Sequence, residues 1–415
     1  MSLQFEDVLM LLDGRRVAKG RLTVEGGRIA AIDAHEVDCS RPIRANRLIM
    51  PGLVNAHGHS AMTLVRGLGG GLPLQRWLEE AIFPVEAKMT YGDIRAGALW
   101  GAMEMLAGGT VCVADMYDFP GAGGDAFREA GIKANICRVG LNFVEGRLDD
   151  CVGFTSNWHN DKVVADICIH SEYLTDEGFC RALAAANREF KRPLHVHVSE
   201  TKREHDECIE RHGKTPIAYL ADTGLLDYGA YAAHCVWCTD EDFEIMREKG
   251  VTLVHNPTSN MKLGSGFARI PAALAAGVNV ALGTDGCASN DNLDMFEEMH
   301  LASLIHKGNM HDPTVLSAWD VIEMATVNGA RALGRGDTGV IAVGKSADFC
   351  VVDLNKPHLV PALDIPNLIV HSMHASDVVM TVVDGEILYD SGQFMTVNQD
   401  RARFDFECAV RGLFK

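Results

Sequence analysis

The sequence predicts a (β/α)8 barrel with a small β-sandwich domain formed from both chain ends. Three observations support this fold class. Eight short apolar runs alternate with amphipathic segments between about residues 48 and 340, as β–α–β crossovers do. Eight such units in a stretch of about 290 residues match the size of a closed barrel. Both chain ends carry hairpin patterns instead.

The eight predicted strands are short and separated by helix-length segments. They are Leu48–Asn55, Val111–Met116, Ala134–Leu141, Val163–His170, Pro193–Ser199, Tyr231–Val236, Val251–Asn256 and Asn279–Gly283. One intervening helix, Glu177–Phe190, is rich in Ala, Leu and Arg and ends before Pro193. An open doubly wound sheet is the alternative architecture. It normally carries a glycine-rich phosphate turn after its first strand, and no GxGxxG pattern follows the first strand here.

The two ends predict one composite β domain. Leu22–Ile29 has the pattern of two strands around a Gly-Gly turn, and Val379–Leu388 has the pattern of a hairpin with an Asp-Gly turn. Isolated hairpins are marginally stable, so pairing of the two ends would let each bury its apolar face. We therefore expect a β domain from residues 1–47 and 345–415, and a barrel from residues 48–344.

Composition narrows the class of protein. The 415 residues carry 38 Lys and Arg against 56 Asp and Glu, a formal net charge of −18. Such an acidic surface disfavours binding to nucleic acid or anionic membranes. No apolar run approaches the roughly 18 residues of a membrane span, and the N-terminus does not resemble a signal peptide. The 12 scattered Cys favour buried, reduced thiols, so we expect a cytoplasmic protein.

Histidines and one aspartate fall at the predicted strand ends, where barrel enzymes have their active sites. His57 and His59 end strand 1, and because residues i and i+2 of a strand share a face, both can reach one ion. His197 ends strand 5, His234 ends strand 6, and Asp285 follows strand 8. Each could be structural by itself. Together they can supply three His and one carboxylate around an open water position, a catalytic zinc arrangement.

Strand 5 carries a second histidine, His195, one step deeper than His197. We expect His195 to be a hydrogen-bonded barrel residue and His197 to be the ligand, since His197 lies nearer the barrel mouth. Glu200 follows at the strand end as a free carboxylate.

This pattern resembles the amidohydrolase superfamily over essentially the whole chain, including the two-ended β domain. Within it, the sequence is similar to the methylthioadenosine/S-adenosylhomocysteine deaminase group of the triazine-hydrolase and chlorohydrolase-like branch. The stretches that carry the resemblance are Trp77–Glu86, Ile169–Ser171, His197–Thr201 and Gly283–Asp285.

The resemblance implies roles for individual residues. One divalent metal ion, with zinc the favoured element, would be held by His57, His59, His197 and Asp285. The catalytic residues would be Glu200 as proton shuttle, His234 as a contact of water on the metal, and Asp285. Substrate contacts would come from Glu86, Arg138, Arg147, His170, Glu200 and Asp285.

A single metal is expected because binuclear relatives bridge two ions with a carboxylated lysine at the end of strand 4. Here that end reads Cys168-Ile169-His170, and the nearest lysine, Lys162, precedes the strand. The resemblance thus implies a hydrolytic deaminase of 5′-methylthioadenosine, S-adenosylhomocysteine, 5′-deoxyadenosine or adenosine, expected as a homo-oligomer. The alternatives are a triazine-, pterin- or guanine-type aminohydrolase or chlorohydrolase with the same site, and a non-catalytic barrel scaffold.

The residue types suit this chemistry. A non-ligand glutamate serves zinc nucleobase deaminases as general acid and base, as Glu200 could here. A carboxylate such as Glu86 can accept hydrogen bonds from both ribose hydroxyls. Arg138 and Arg147 could pair with a carboxylate tail on the substrate. The glycine-rich segment Ser60–Thr90 is long enough to form a lid over the pocket.

Overall fold

We describe the protein from a computed structural model, which covers residues 2–38, 42–117, 119–158 and 162–415. The described residues form a parallel sheet of nine strands and a second, mostly antiparallel sheet of eight. The strands of the parallel sheet are Leu53–His59, Thr110–Tyr117, Lys133–Arg138, Val163–Cys168, Leu194–Val198, Ala230–His234, Val251–His255, Asn279–Leu282 and Asp285–Gly286.

The parallel sheet confirms the predicted barrel. Its strands pair in chain order, and each pairs with the next in parallel. The last strand, Asn279–Leu282, continues into Asp285–Gly286, which pairs with the first strand at Gly58 and so returns the chain to its starting edge. Gly283 lies at this junction, where a Cβ would come 2.8 Å from the backbone of His57, so a side chain would not fit.

The predicted first strand, Leu48–Asn55, is wrong as a single element. Arg47–Pro51 belongs to the eight-stranded sheet and Leu53–His59 to the barrel, with Gly52 between them. A Cβ at Gly52 would lie 2.3 Å from a methyl group of Val111, so the chain crosses between the sheets at a point that admits only glycine. The apolar run is continuous because both strands are buried, and hydrophobicity therefore did not mark the break.

Both chain ends contribute to the eight-stranded sheet, as expected. Its strands are Ser2–Leu12, Arg16–Glu25, Arg28–Glu36, Arg47–Pro51, Phe349–Asp353, Val378–Val383, Glu386–Asp390 and Gln393–Phe394. The Gly-Gly and Asp-Gly hairpins are confirmed. The ends meet where Arg47–Pro51 pairs on one side with Ser2–Leu12 and on the other with Phe349–Asp353. Division into domains 1–47 with 345–415 and 48–344 stays a prediction; residues 1 and 39–41 lie outside the described residues.

Helices follow most barrel strands, and the predicted Glu177–Phe190 is confirmed at both ends. The longer helices are Tyr91–Ala107, Pro120–Ala130, Arg147–Asn157, Glu177–Phe190, Lys202–His212, Pro216–Thr223, Asp240–Lys249, Met295–Met310 and Gln399–Leu413. The shorter helices are Leu74–Arg76, Phe83–Glu86, Pro257–Lys262, Ile270–Ala275, Cys287–Asn290, Ala318–Met324, Val327–Ala332 and Ile365–His371. The 3₁₀ helices are Ser60–Val65, Glu172–Leu174, Pro357–Leu359 and Ala375–Asp377, and Trp77–Ile82 is a π-helix. Among the described residues we find no helix that combines the length and apolar character of a membrane span.

The strand Ser2–Leu12 shows how the terminal sheet buries both faces. Leu9 and Leu11 pack into the main barrel core, whereas Met10 and Leu12 pack into a separate core enclosed by the terminal sheet. This alternation follows from the two-residue period of a strand.

Ion pairs add a polar link between the two sheets. Lys133, on the barrel strand Lys133–Arg138, places Nζ 2.6 Å from Oδ2 of Asp348 and 2.7 Å from Oδ1 of Asp384. Both acidic residues adjoin C-terminal strands of the eight-stranded sheet, and Asp348 is fully buried. The terminal sheet is thus tied to the end of the barrel opposite the site, because Lys133 begins its strand and the site lies at the strands' C-terminal ends.

Candidate active site

The predicted metal ligands meet at the C-terminal ends of the barrel strands. Oδ1 of Asp285 lies 3.4 Å from Nε2 of His57 and 3.2 Å from Nε2 of His59. Nε2 of His197 lies 3.3 Å from Nε2 of His59. Ligand atoms lie within 4.8 Å of one another in each of two overlapping groups: His57, His59 and His197, and His57, His234 and Asp285. Residues up to 228 positions apart in the chain thus direct donor atoms at one point.

Two of the imidazoles are oriented by backbone carbonyls. Nδ1 of His59 lies 2.5 Å from the carbonyl oxygen of Met116, and Nδ1 of His197 lies 2.8 Å from that of His170. A carbonyl only accepts, so each Nδ1 carries the proton and each Nε2 keeps a free lone pair that faces the cluster. This is the usual way in which a metal-binding histidine is held.

The third imidazole, His57, is fixed by another histidine. Its Nδ1 lies 2.8 Å from Nε2 of His195, whose Nδ1 lies 3.7 Å from Sγ of Cys137. His195 is therefore a hydrogen-bonded barrel residue, as expected. Nε2 of His57 is buried and has no hydrogen-bond partner among the described residues. An orphaned buried nitrogen is costly unless it binds something, so the donor set fits a cation.

Asp285 is held on the side away from the histidines. Its Oδ2 accepts hydrogen bonds from the hydroxyls of Ser259 at 2.6 Å and Ser289 at 2.7 Å. Burial acts to raise the pKa of Asp285, but its close contacts with the imidazoles of His57 and His59 outweigh burial and hold the pKa well below the usual range. The carboxyl is therefore ionised, as a metal ligand must be.

His234 and Glu200 form a second pair beside the cluster. Nδ1 of His234 donates to Oδ1 of Asn260 at 2.8 Å, which leaves Nε2 facing Oε2 of Glu200 at 3.8 Å. Burial acts to lower the pKa of His234, but the carboxylates of Glu200 and Asp285 outweigh it and raise the pKa. Burial also raises the pKa of Glu200, against the opposing effect of His234. Ser265 donates to Oε1 of Glu200 at 3.4 Å.

Backbone strain marks the same strand ends. His234 has φ of 71° and Asp285 has φ of 61°, left-handed values that residues other than glycine rarely adopt. Strain of this kind concentrates at functional sites, because the surrounding contacts hold a side chain where an unstrained backbone would not place it.

The cluster forms the floor of a cavity of about 560 Å³. His59, His170, His197, Glu200, His234, Asp285 and Ser289 supply most of its polar lining. Its walls are mainly apolar and aromatic: Met62, Leu74, Trp77, Leu78, Phe83, Met116, Tyr117, Phe119, Val139, Leu141, Phe143, Tyr173, Leu174 and Leu263. A largely apolar pocket with a few convergent polar groups is the usual form of a small-molecule site.

Glu86 also lines the cavity. The hydroxyl of Tyr117 donates to Oε1 of Glu86 at 2.7 Å and so helps to hold its carboxylate. Glu86 ends a helical stretch that includes the π-helix Trp77–Ile82, and several of its residues line the cavity. The segment predicted as a lid is therefore a helical wall of the pocket; whether it moves stays a prediction.

The three remaining predicted substrate contacts, His170, Arg138 and Arg147, lie in different surroundings. His170 lines the cavity, with its ring centroid 4.5 Å from that of His197. Arg138 lines a neighbouring pocket instead, and its Nη2 lies 3.3 Å from Oδ2 of Asp150. Arg147 is buried and donates from Nη1 to the carbonyl of Val139 at 3.1 Å. Among the described residues, no Lys or Arg lines the main cavity.

Sequence reasoning missed the residues that hold Asp285 and His234 in place. Ser259 and Asn260 follow the seventh strand, Val251–His255, and Ser289 follows the strand end at Asp285. The rule that active sites lie at strand C-terminal ends could have indicated Pro257–Lys262, since it begins directly after that strand. Nothing in the sequence shows that two serines contact one carboxylate.

Residues 48–388 match the model of the amidohydrolase family. The chain belongs to the amidohydrolase family. This member of the family is 42% identical to a 5-methylthioadenosine/S-adenosylhomocysteine deaminase of Acetivibrio thermocellus, over 92% of both chains. It is 41% identical to a 5′-deoxyadenosine deaminase of Methanosarcina mazei, over 94% of this chain and 92% of that one.

Solved structures of other proteins share the amidohydrolase fold described above. A zinc-bound crystal structure of an adenosine deaminase from Xanthomonas campestris superimposes with a TM-score of 0.90 at 30% identity and covers 99% of both chains. An atrazine chlorohydrolase from Arthrobacter aurescens, crystallised with zinc, superimposes with a TM-score of 0.88 over 98% of this chain and 99% of that one. At 22% identity, the chlorohydrolase shows similarity of the fold alone.

Proposed function

We propose that the protein is a metal-dependent deaminase that converts the adenine of 5′-modified adenosines to hypoxanthine and releases ammonia. The observation that carries the proposal is the position of Glu200, a buried carboxyl outside the ligand cluster but at the same cavity floor. The relatives named for deamination of 5-methylthioadenosine, S-adenosylhomocysteine and 5′-deoxyadenosine support the substrate class.

The proposed ligands are His57, His59, His197 and Asp285, which present three imidazole nitrogens and one carboxylate oxygen. This nitrogen- and oxygen-rich set suits zinc, which we propose as the ion, at one per chain. When bound, the ion would act as a Lewis acid and lower the pKa of coordinated water to about 7. The chain's own residues supply the remaining steps.

Glu200 is proposed to move the protons. Its oxygens are not committed to the ligand cluster, and burial raises its pKa, so it holds a proton nearer neutral pH than an exposed glutamate does. It would give a proton to the ring nitrogen beside the attacked carbon and then take one from the attacking water. It would pass that proton to the amino group, which leaves as ammonia while the remaining hydroxyl proton returns to Glu200. His234 and Asp285 would orient the attacking water. Asn260 holds His234 so that it faces Glu200, and two serines hold Asp285.

Glu86 is proposed to bind the ribose. Its carboxylate can accept from the two ribose hydroxyls while it keeps its bond from Tyr117, because each oxygen has two acceptor positions. The apolar walls of the cavity would enclose the purine ring. His170, which lines the floor, is proposed as a further substrate contact.

The predicted pairing of Arg138 and Arg147 with a carboxylate tail stays a prediction. It concerns S-adenosylhomocysteine alone among the candidate substrates, because the others have uncharged 5′ groups. Arg138→Ala and Arg147→Ala should then weaken activity on S-adenosylhomocysteine and leave activity on 5′-methylthioadenosine unchanged. Equal effects on both substrates would remove the tail-binding role. Assembly as a homo-oligomer and a cytoplasmic location also stay predictions.

Two measurements test the proposed function. The first follows ultraviolet absorbance as adenine nucleosides become hypoxanthine nucleosides, with 5′-methylthioadenosine, S-adenosylhomocysteine, 5′-deoxyadenosine and adenosine as substrates. Guanine and a chlorinated triazine serve as the alternative substrates. Turnover of these two and of no nucleoside would overturn the proposal in favour of a ribose-free ring. The second is elemental analysis, which should give one divalent ion per chain; two tightly bound ions would contradict the single-metal site.

A further inference from the structure

A buried carboxyl group contacts the two chain segments that hold Asp285. Glu298, on the helix Met295–Met310, is fully buried, and its Oε1 accepts from Nδ2 of Asn290 at 2.7 Å. Its Oε2 accepts from the backbone N–H of Thr258 at 3.3 Å. Among the described residues, no cation pairs with it, and burial raises its pKa to about 8. A buried carboxyl without a cation lowers the stability of the fold, so we expect Glu298 to have a role other than stabilisation.

Each partner of this carboxylate is one residue away from a serine that contacts the proposed ligand Asp285. Thr258 precedes Ser259, and Asn290 follows Ser289. The two serine hydroxyls donate to the same oxygen of Asp285, at 2.6 Å and 2.7 Å. The serines lie 30 positions apart on separate short helices, Pro257–Lys262 and Cys287–Asn290, so one buried side chain joins the two segments that hold this ligand.

The same contact reaches the other half of the site. Asn260, two residues beyond Thr258, accepts from Nδ1 of His234 and so directs that imidazole towards Glu200. Displacement of the segment that starts at Thr258 would therefore disturb both a proposed metal ligand and a proposed proton-handling group.

We propose that Glu298 is a positioning residue that holds the segments of Ser259 and Ser289 in register against Asp285. It does not touch the ligands itself. The inference rests on the proposed metal site and adds a residue that the motifs of the sequence did not single out. Residues behind metal ligands typically change metal affinity or activity about 10–100-fold when they are replaced.

The test compares zinc affinity of the metal-free full-length protein, measured by competition with a chromophoric chelator. Glu298→Met removes both acceptors at similar volume, and Glu298→Gln keeps one acceptor. Glu297→Met is the matched control, because Glu297 is the neighbouring exposed glutamate of the same helix. We expect about 10-fold or greater weakening for Glu298→Met, an intermediate loss for Glu298→Gln, and no change for the control.

A double variant separates positioning from general destabilisation. If Glu298 acts through Ser289, Ser289→Ala combined with Glu298→Met should weaken zinc binding by less than the product of the single effects. Wild-type zinc affinity in Glu298→Met, or full multiplication in the double variant, would overturn the inference. If Glu298→Met does not fold, Asn290→Ala breaks the same link from the other side and is judged by the same affinity. Wild-type protein that binds no zinc would refute the proposed metal site instead, so the two failures are distinguishable.

Discussion

Replacement of Glu200 by Gln should abolish most turnover and leave the metal site intact. The amide has the shape of the carboxyl but does not exchange protons at neutral pH. The distance of 3.8 Å from Oε2 of Glu200 to Nε2 of His234 is too long for a direct hydrogen bond, so the substitution by Gln breaks no hydrogen bond between these two residues. The amide oxygen can still accept from Ser265 at the position of Oε1. The ligand cluster does not include Glu200, so metal binding should not change.

The expected magnitude follows from the lost proton transfers. General acid–base catalysis contributes about 10²–10⁴-fold, which corresponds to about 2.7–5.4 kcal/mol of transition-state stabilisation. Because Glu200 is proposed to act on both the ring nitrogen and the leaving ammonia, we expect kcat to fall by about 10⁴-fold, the upper end of this range. KM should change little, since the ground-state contacts of the amide resemble those of the carboxyl.

The assay is the ultraviolet measurement of adenine-nucleoside deamination, paired with elemental analysis of the same preparation. Glu210→Gln is the matched control, because Glu210 is an exposed glutamate on the following helix, Lys202–His212. The control should keep wild-type kcat. A Glu200→Gln protein with full metal content and wild-type kcat would refute the assignment of Glu200. Loss of the metal together with activity would show that Glu200 supports the ligand cluster instead.

Three further predictions concern the ribose contact, acid stability and the link between the sheets. Glu86→Ala should raise KM for nucleosides about 10–100-fold, because charge-assisted hydrogen bonds to the ribose are lost, and should scarcely change KM for free adenine. Exposed Glu79→Ala is the control. An equal rise in KM for adenine would remove the ribose role. Burial lowers the pKa of His306 from 6.5 to about 4, so its contribution to stability is lost as pH falls from about 6.5 towards 4. By linkage the lost stability amounts to about 2 kcal/mol at pH 5. Between pH 7 and pH 5, the free energy of urea unfolding should fall less for His306→Leu than for wild type or for exposed His311→Gln. An equal fall in all three proteins would contradict the assignment. Lys133→Met should lower the free energy of unfolding by about 3–5 kcal/mol because Asp348 stays buried without its cation. Lys249→Met, which removes the cation of a partly exposed ion pair, should change it by at most about 1 kcal/mol. Similar urea midpoints for the two variants would exclude the buried pair as a main link.

The barrel and the convergence of the His and Asp side chains at its mouth were predictable because their signals are local. Each buried strand is a short apolar run, and the histidines of Leu53–His59 and Leu194–Val198 sit at positions whose side chains share a face. The rule that parallel strands present their C-terminal ends together then brings Asp285 to the same place. The hairpins of the terminal sheet were predictable for the same reason, since their turn residues specify the turn type.

The positions of the guanidinium groups of Arg138 and Arg147 were not predictable in this way. The strand pattern predicts that Arg138 lies near the barrel mouth, yet its guanidinium faces Asp150 and a neighbouring pocket. Arg147 begins a helix, and its buried guanidinium donates back to the carbonyl of Val139. Which way a long side chain turns depends on the partners that the fold offers, and those partners lie on elements whose packing the sequence does not state.

The chain by itself determined the order of strands and helices, the two-ended terminal sheet and the identity of the donor atoms, because each depends on periodicity or on residue type at a strand end. Tertiary structure alone decided that the first apolar run divides at Gly52, where Val111 leaves no room for a side chain. It also decided that one carboxylate, Glu298, joins the segments behind Asp285. The physical reason is distance along the chain: hydrogen bonds between residues tens of positions apart exist only after the backbone has brought them within about 3 Å, and no local pattern records which donor meets which acceptor.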